Sequence, residues 1–560
     1  MHLRLWFDKE SFHCMLPLAQ DPSCYEAQIT LPETPCLLWY DFQVWQNGQF
    51  FWYGNAEDQL GGEGAFIYGS PRSYQITVYD PAFHTPDWVE NAIFYQIFPD
   101  RFARSADVPL PAIKERTLHA NWEEPPALCI DAETGDNIAH DFFGGNLRGI
   151  AEKLPYLVSL GVTALYINPI FHASTNHRFD TTDWLHIDPY LGSDEDFQSL
   201  CQAAAKLGIQ IILDGVFSHA GNQSPIFLDA QQRQESPYRN WFTFEHWPDR
   251  YKSWWGFRTL PEINKHQPEV LHYFLSGKNA VVKNWVRKGA SGWRIDVADE
   301  LPMPYLRMMR NAVKAENKDA YIVGEVWEDA SNKVAYEQMR SYCMGDTLDG
   351  VMNYPLRDAA IAFLLGTMDA CQFKRKMDSL YENYPIPFAK GLLNVIGSHD
   401  RARILNILAE KDGEDLPREQ RERLSLCENE LLIAKKRLRL MLQLIIAMPG
   451  MPCIYYGDEA GMQGASDPYN RGTFPWQHID EEQCLFFQDA LQYRKSHSIL
   501  ASGTLQLEAP STHVLVITRS HASQQHITFL NSAAIPAQVA HAGKLLTLDA
   551  FGYTHIMSSM

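Results

Sequence analysis

Closely spaced cysteines are missing. The 10 cysteines lie singly along 560 residues and none shows Cys-x-x-Cys spacing, which excludes a zinc motif of that kind and a dense disulfide framework. They read as buried free thiols of a reducing compartment. Walker, Gly-x-Gly-x-x-Gly, His-Glu-x-x-His and Gly-x-Ser-x-Gly signatures are missing from any supporting context, which argues against nucleotide, zinc and serine-hydrolase chemistry. Basic charge is short. Lys plus Arg is 48 against 68 Asp plus Glu, a formal charge of −20, which disfavours nucleic acid or an anionic membrane as a main partner. Long uncharged apolar runs are missing too. The stretch 1–10 has none, and Leu440–Gly457 contains Gln443, Pro449, Gly450 and Pro452. That stretch reads as a buried helix followed by a buried strand, not a membrane span. The expectation is a soluble cytoplasmic protein.

Three regions differ in rhythm. Residues 1–88 offer short aromatic runs (Leu37–Trp45, Gln49–Tyr53, Ser73–Tyr79) broken by Asn47-Gly48, Gly61-Gly62 and Pro71, the pattern of a small N-terminal β-sandwich. Residues 89–500 repeat one unit: an amphipathic helix, a glycine stop, then a buried strand. Leu147–Leu160, Gly161 and Thr163–Asn168 are one copy; Glu195–Leu207, Gly208 and Ile209–Asp214 are the next. Such repeats predict a parallel sheet wrapped by helices, an α/β fold. The long interval of about 220–272, rich in Trp, Arg, Asp and Gln, is expected to be an inserted subdomain over the mouth after the third strand. Residues 501–560 return to strand patterns and read as a C-terminal all-β domain.

Several strands end in a polar residue: Asn168, Asp214, Asp296, Glu325 and the pair His399-Asp400. In a (β/α)8 TIM barrel the strand C-termini open onto one face, so residues far apart in sequence converge there. Any one of these is explained equally well as a helix cap; five in the same register are not. Paired carboxylates on one face are what glycoside hydrolysis needs, one protonating the leaving oxygen and the other attacking or activating water. The aromatics, 12% of the chain, are mostly core but supply flat faces for sugar rings.

The motifs resemble, in order, those of the α-amylase family of retaining glycoside hydrolases. They are Tyr95–Phe102, Gly161–Pro169, Asp214–His219, Leu260–Asn264, Gly292–Glu300, Gly324–Trp327, Gly397–Asp400 and Gly450–Glu459. The resemblance implies Asp296 as nucleophile, Glu325 as general acid and base, and Asp400 as a sugar-binding acid. It implies that Arg294, two residues before Asp296 on the same strand face, holds Asp296 ionised. His219 and His399 are expected to hydrogen-bond the sugar and Phe179 to stack beneath it, where the family commonly has Tyr. Tyr95 is expected to line the same site, and Asp467, Asn470 and Arg471 to approach from the opposite side. Retention implies carboxyls of Asp296 and Glu325 about 5–5.5 Å apart.

Glu300, Leu260–Asn264 and Trp254–Phe257 are similar to the neopullulanase, cyclomaltodextrinase and maltogenic amylase group. The implied activity is endo-type hydrolysis of α-1,4-glucosidic bonds in maltooligosaccharides, cyclodextrins, pullulan or starch. A transglycosylase on the same scaffold and a non-catalytic glycan-binding protein are the alternatives. No cofactor is required. Several members of that group carry calcium just after the first strand, but Ala103-Arg104-Ser105 and Gly145-Asn146 depart from the pattern. A homodimer stays open, because the N-terminal region is shorter than in group members whose N-terminal domains complete a partner's site.

Overall fold

The computed structural model describes residues 1–7, 10–15, 25–26, 28–130 and 138–559. Its centre is an 8-stranded parallel sheet. The strands are β1 (Phe94–Ile97), β2 (Ala164–Ile167), β3 (Gln210–Gly215), β4 (Gly292–Ile295), β5 (Tyr321–Gly324), β6 (Gly350–Val351), β7 (Leu393–Val395) and β8 (Met451–Tyr455). They pair in the order β6-β5-β4-β3-β2-β1-β8-β7. One parallel bridge, Met352 to Leu393, joins the two ends into a ring. The barrel expected from the helix–strand repeat is therefore present.

Strand alternation sorts the side chains. Phe94, Ala164, Tyr166, Ile212, Tyr321, Val323, Leu393, Val395, Met451 and Cys453 fill the barrel interior. Their neighbours Tyr95, Ile97, Leu165, Ile167, Ile211, Leu213, Trp293, Ile295 and Ile322 face the helix layer. The period of two fixes which residues can reach the mouth. At the start of β4 a side chain on Gly292 would lie 1.9 Å from the carbonyl oxygen of Tyr321, so only glycine lets β4 and β5 approach there. The predicted helix 147–160 is two helices, Leu147–Glu152 and Leu154–Leu160. Pro155 has no N–H to continue the first and sits in the opening turn of the second. Asn146 caps the first, accepting the Gly149 N–H at 2.8 Å, and Gly161 ends the second in the left-handed region.

The stretch 440–457 contains the end of a helix (Glu428–Ala447) and then β8, both buried. Among the described residues no helix is long and apolar enough to cross a membrane. The N-terminal strands form one 6-stranded antiparallel sheet built around Cys36–Gln46. It is tied to the barrel by the Thr77 and Thr85 hydroxyls, which donate to the Asn383 and Pro387 carbonyls at 2.7 and 2.6 Å. At the other end a 4-stranded antiparallel sheet and a hairpin (Ala537–His541 with Lys544–Leu548) enclose their own small core. Arg519 sews this sheet to the barrel by donating to the Ala447 and Leu500 carbonyls. The insertion after β3 carries a helix (Pro225–Gln232), a small hairpin (Phe244–His246 with Arg250–Tyr251) and a short turn at Trp254–Gly256.

Candidate active site

Above the apolar interior, the inward positions of consecutive strands become polar. Gln96 on β1 donates to Asn168 at 3.0 Å and to His399 Nδ1 at 2.9 Å. Asn168, after β2, donates to Asp214 Oδ2 at 3.2 Å, and Tyr166 OH donates to the same oxygen at 2.6 Å. Arg294 Nη1 then donates to Asp214 Oδ1 at 2.6 Å and to Asp296 Oδ1 at 2.9 Å, while its Nη2 lies 2.9 Å from Glu325 Oε2. One buried guanidinium thus gathers carboxylates from the ends of β3, β4 and β5. Asp400, after β7, lies 3.2 Å from His399 Nε2. The residues singled out in the sequence as Asp296, Glu325, Asp400, Arg294 and His399 meet here.

Val297 holds an unusual backbone conformation. Its φ is 38°, a left-handed geometry that a β-branched residue avoids. Its N–H donates to Glu325 Oε2 at 2.8 Å, and Trp327 Nε1 donates to Oε1 at 3.1 Å. Both oxygens of Glu325 are therefore oriented. Trp327 is itself held by stacking on Tyr354, with ring centroids 4.1 Å apart and planes 8° from parallel, and by the Arg401 guanidinium 4.5 Å from its ring.

The electrostatics follow from burial. Loss of solvent raises the Glu325 carboxyl, with Arg294 pulling it down and Asp400 pushing it up. Burial likewise raises Asp400 and lifts Asp214 to about 6. Asp296 is also raised by burial, and Glu325, Asp214 and Asp400 add to the effect against the pull of Arg294. The contact with Arg294 expected from the sequence is present, and it opposes the rise that burial and the neighbouring carboxyls cause. The cluster titrates as a unit and retains protons above the ordinary carboxylate range.

A cavity of about 610 Å3 opens over these groups, lined by Asp296, Glu325 and Asp400 and reaching Trp255. Phe179 lines it and lies parallel to His399, 5.0 Å between centroids. Arg471 lines it too, its Nε donating to the His399 carbonyl at 3.0 Å. Asp467 does not reach the cavity lining; it stands behind Arg471, 2.8 Å from Nη1, and positions it. Asn470 likewise supports the loop, donating to the His399 and Arg401 carbonyls. His219 borders the cavity with both ring nitrogens already engaged, Nδ1 with Ser218 Oγ at 2.6 Å and Nε2 with the Phe179 carbonyl at 3.1 Å. It braces the Phe179 loop from the edge of the cavity.

Tyr95, expected to line the site, is placed away from it. It is fully buried on the outer side of β1, where its hydroxyl donates to Glu459 Oε1 at 2.6 Å. Strand parity sends Gln96, not Tyr95, toward the mouth. One lining residue passed over in the sequence is His177. Its Nδ1 accepts the Phe179 N–H at 3.1 Å, which leaves Nε2 for a ligand. Burial and the nearby Arg471 keep its imidazole neutral, well below the usual histidine range.

The residues after β1 do not fit a calcium ion. The Arg101 guanidinium sits between Asp100 and Asp141, 2.8 and 3.1 Å from their oxygens. Asn146 Oδ1 is taken by backbone N–H groups as the helix cap. The acceptors a cation would need are already used.

Comparison with known proteins places this arrangement. The family described as alpha amylase, catalytic domain, matches residues 96–497. An amylopullulanase of Thermoanaerobacter thermohydrosulfuricus is 36% identical over 525 residues, covering 84% of this chain and 34% of the relative. The chain spans about a third of the length of the amylopullulanases it matches. A cyclomaltodextrinase of Geobacillus thermopakistaniensis (strain MAS1) is 32% identical over 481 residues, 83% of this chain and 73% of the relative. Among solved structures, the type III pullulan hydrolase from Thermococcus kodakarensis superposes with a TM-score of 0.75 at 27% identity, over 100% of this chain and 95% of that one.

Proposed function

The chain belongs to the α-amylase catalytic-domain family, and from that premise we propose that it hydrolyses α-1,4-glucosidic bonds of maltooligosaccharides, cyclodextrins, pullulan or starch with retention of anomeric configuration. The observation that carries this reading is the Arg294 guanidinium shared by Asp296 and Glu325. It keeps both carboxyls within reach of one glycosidic bond, as a retaining double displacement requires.

Asp296 Oδ1 is held by Arg294, and Oδ2 is the attacking atom. It bonds to the anomeric carbon while Glu325 gives its proton to the glycosidic oxygen, and the carbon–oxygen bond breaks. Glu325, now ionised, takes a proton from water as that water attacks the anomeric carbon and releases Asp296. Asp400 binds sugar hydroxyls, Phe179 offers its ring face, and His177 Nε2 and Arg471 donate. The steps need no metal or cofactor. The buried thiols of Cys201, Cys343 and Cys453 support a reducing, cytoplasmic setting.

The stacked pair Trp254 and Trp255, 5.1 Å between centroids and 13° from parallel, borders the cavity. It favours a second outcome from the same intermediate, in which a sugar hydroxyl replaces water. The test is to assay pullulan, γ-cyclodextrin and soluble starch and to follow the first-formed anomer by proton NMR. An α-anomer supports the reading, and a β-anomer or no cleavage overturns it. Longer products at high acceptor concentration identify transglycosylation.

A further inference from the structure

Trp327 lines the cavity over the carboxylates, where an indole would ordinarily offer a flat face to a sugar ring. Here both faces are taken. The Tyr354 ring lies parallel to it, with centroids 4.1 Å apart, and covers one face. The Arg401 guanidinium lies 4.5 Å from the ring centroid and covers the other. The edge is engaged as well, because Nε1 donates to Glu325 Oε1 at 3.1 Å. A ring occupied on both faces and at its only donor holds other groups in place and is no platform for substrate.

Both sides of this clamp lead to the loop after β7, which carries Asp400. Arg401 belongs to that loop and directly follows Asp400. Tyr354 opens the helix Tyr354–Leu365 after β6, and its hydroxyl donates to Ser398 Oγ at 3.4 Å. Ser398 Oγ in turn accepts the Asp400 N–H at 3.2 Å. The loop is pinned from the side of β8, where Asn470 donates to the Arg401 carbonyl at 2.8 Å. Arg401 Nε is buried without a hydrogen-bond partner, so attraction to the indole ring is what keeps the guanidinium in place.

We propose that Arg401 is a positioning residue for the general acid. Pressed on Trp327, it fixes the indole that orients Glu325, and so ties the proton donor on β5 to the loop after β7. The proposal rests on the hydrolase reading above and deepens it: the loop that holds the sugar through Asp400 also aims the proton at the glycosidic oxygen.

A misplaced acid slows only those substrates whose leaving group needs its proton. The experiment measures kcat/KM for phenyl and 2,4-dinitrophenyl α-maltosides in the wild type, Arg401→Met and Arg401→Lys. Phenoxide leaves poorly without a proton, and dinitrophenoxide leaves without one. Both aryl groups occupy the same place, so a lost contact to the leaving group slows both alike. In each variant the phenyl substrate should lose about tenfold or more and the dinitrophenyl substrate less than about threefold. The dinitrophenyl rate also reports that the variant is folded. On maltoheptaose the loss should fall on kcat, with KM changed by less than about twofold. Lysine keeps the charge that acts on Asp400 but not the flat cation, so full recovery in Arg401→Lys overturns the proposal. Equal losses on the two aryl substrates, no loss on either, or a maltoheptaose loss confined to KM overturn it too. All of these leave the hydrolase reading standing. A wild type that cleaves none of the three substrates overturns both.

Discussion

The Val297 backbone N–H donates to Glu325 Oε2 at 2.8 Å, so the residue that follows one carboxylate on β4 orients the other on β5. The bond exists because Val297 adopts a left-handed φ of 38°. Strain of this kind costs of order 1–3 kcal/mol and persists where surrounding structure imposes it. Here it couples the positions of Asp296 and Glu325 through the backbone as well as through Arg294.

Removing either Asp296 or Glu325 is the direct test of the proposed roles. Asp296→Ala and Glu325→Gln should each lower kcat by about a thousandfold or more, with circular dichroism and melting temperature preserved. A variant keeping more than about a tenth of the activity contradicts its assigned role.

Arg294→Met should act on stability as well as rate. It strands Asp214, Asp296 and Glu325 in a buried site without their cation. Leaving buried charges unpaired costs about 3–5 kcal/mol, reduced to the extent that the carboxyls take up protons. The denaturant midpoint should therefore fall more at pH 8 than at pH 5, because protonation is easier at the lower pH.

Trp327→Phe should move the pH profile. The indole N–H bonded to Glu325 Oε1 favours the ionised carboxyl and opposes the rise that burial causes. Phenylalanine keeps a ring against Tyr354 and removes the donor. The Glu325 carboxyl then rises further, and the alkaline limb of kcat/KM shifts to higher pH. An unmoved or lowered limb would show that the indole does not set this titration.

Asp458 gives a stability prediction with a defined sign. Burial raises its carboxyl to about 7 against the pull of Arg403. A folded value above the unfolded one means that the folded state binds the extra proton, so the stabilisation is complete below the unfolded carboxylate range and is lost as pH rises to about 7. Asp458→Asn is uncharged throughout this window. Its denaturant midpoint should fall less than that of the wild type between pH 4 and pH 8; an equal fall in both proteins rules Asp458 out as the cause.

That Asp296, Glu325 and Asp400 meet was legible in the sequence, because the first two directly follow strands, the third follows the loop after β7, and strand ends in a parallel barrel share a face. The family resemblance misplaced Tyr95. It lies one residue from Gln96 within a short buried run, and motif position obscured the parity that the alternation of Phe94 and Gln96 settles. His219 was found as a site neighbour, but its engaged nitrogens depend on the loop fold around Phe179. His177 and the Arg401–Trp327–Tyr354 stack were not legible. They join side chains on separate loops whose conformations follow no periodic pattern.

The ring of strands is thinnest between β6 and β7, where a single bridge from Met352 to Leu393 completes it. Parting that seam leaves a curved sheet whose remaining pairings are intact, yet it frees the element bearing Asp400 from the one bearing Glu325. Warming should therefore abolish the proposed hydrolysis before the bulk of the secondary structure melts, and amide exchange should quicken first around this join.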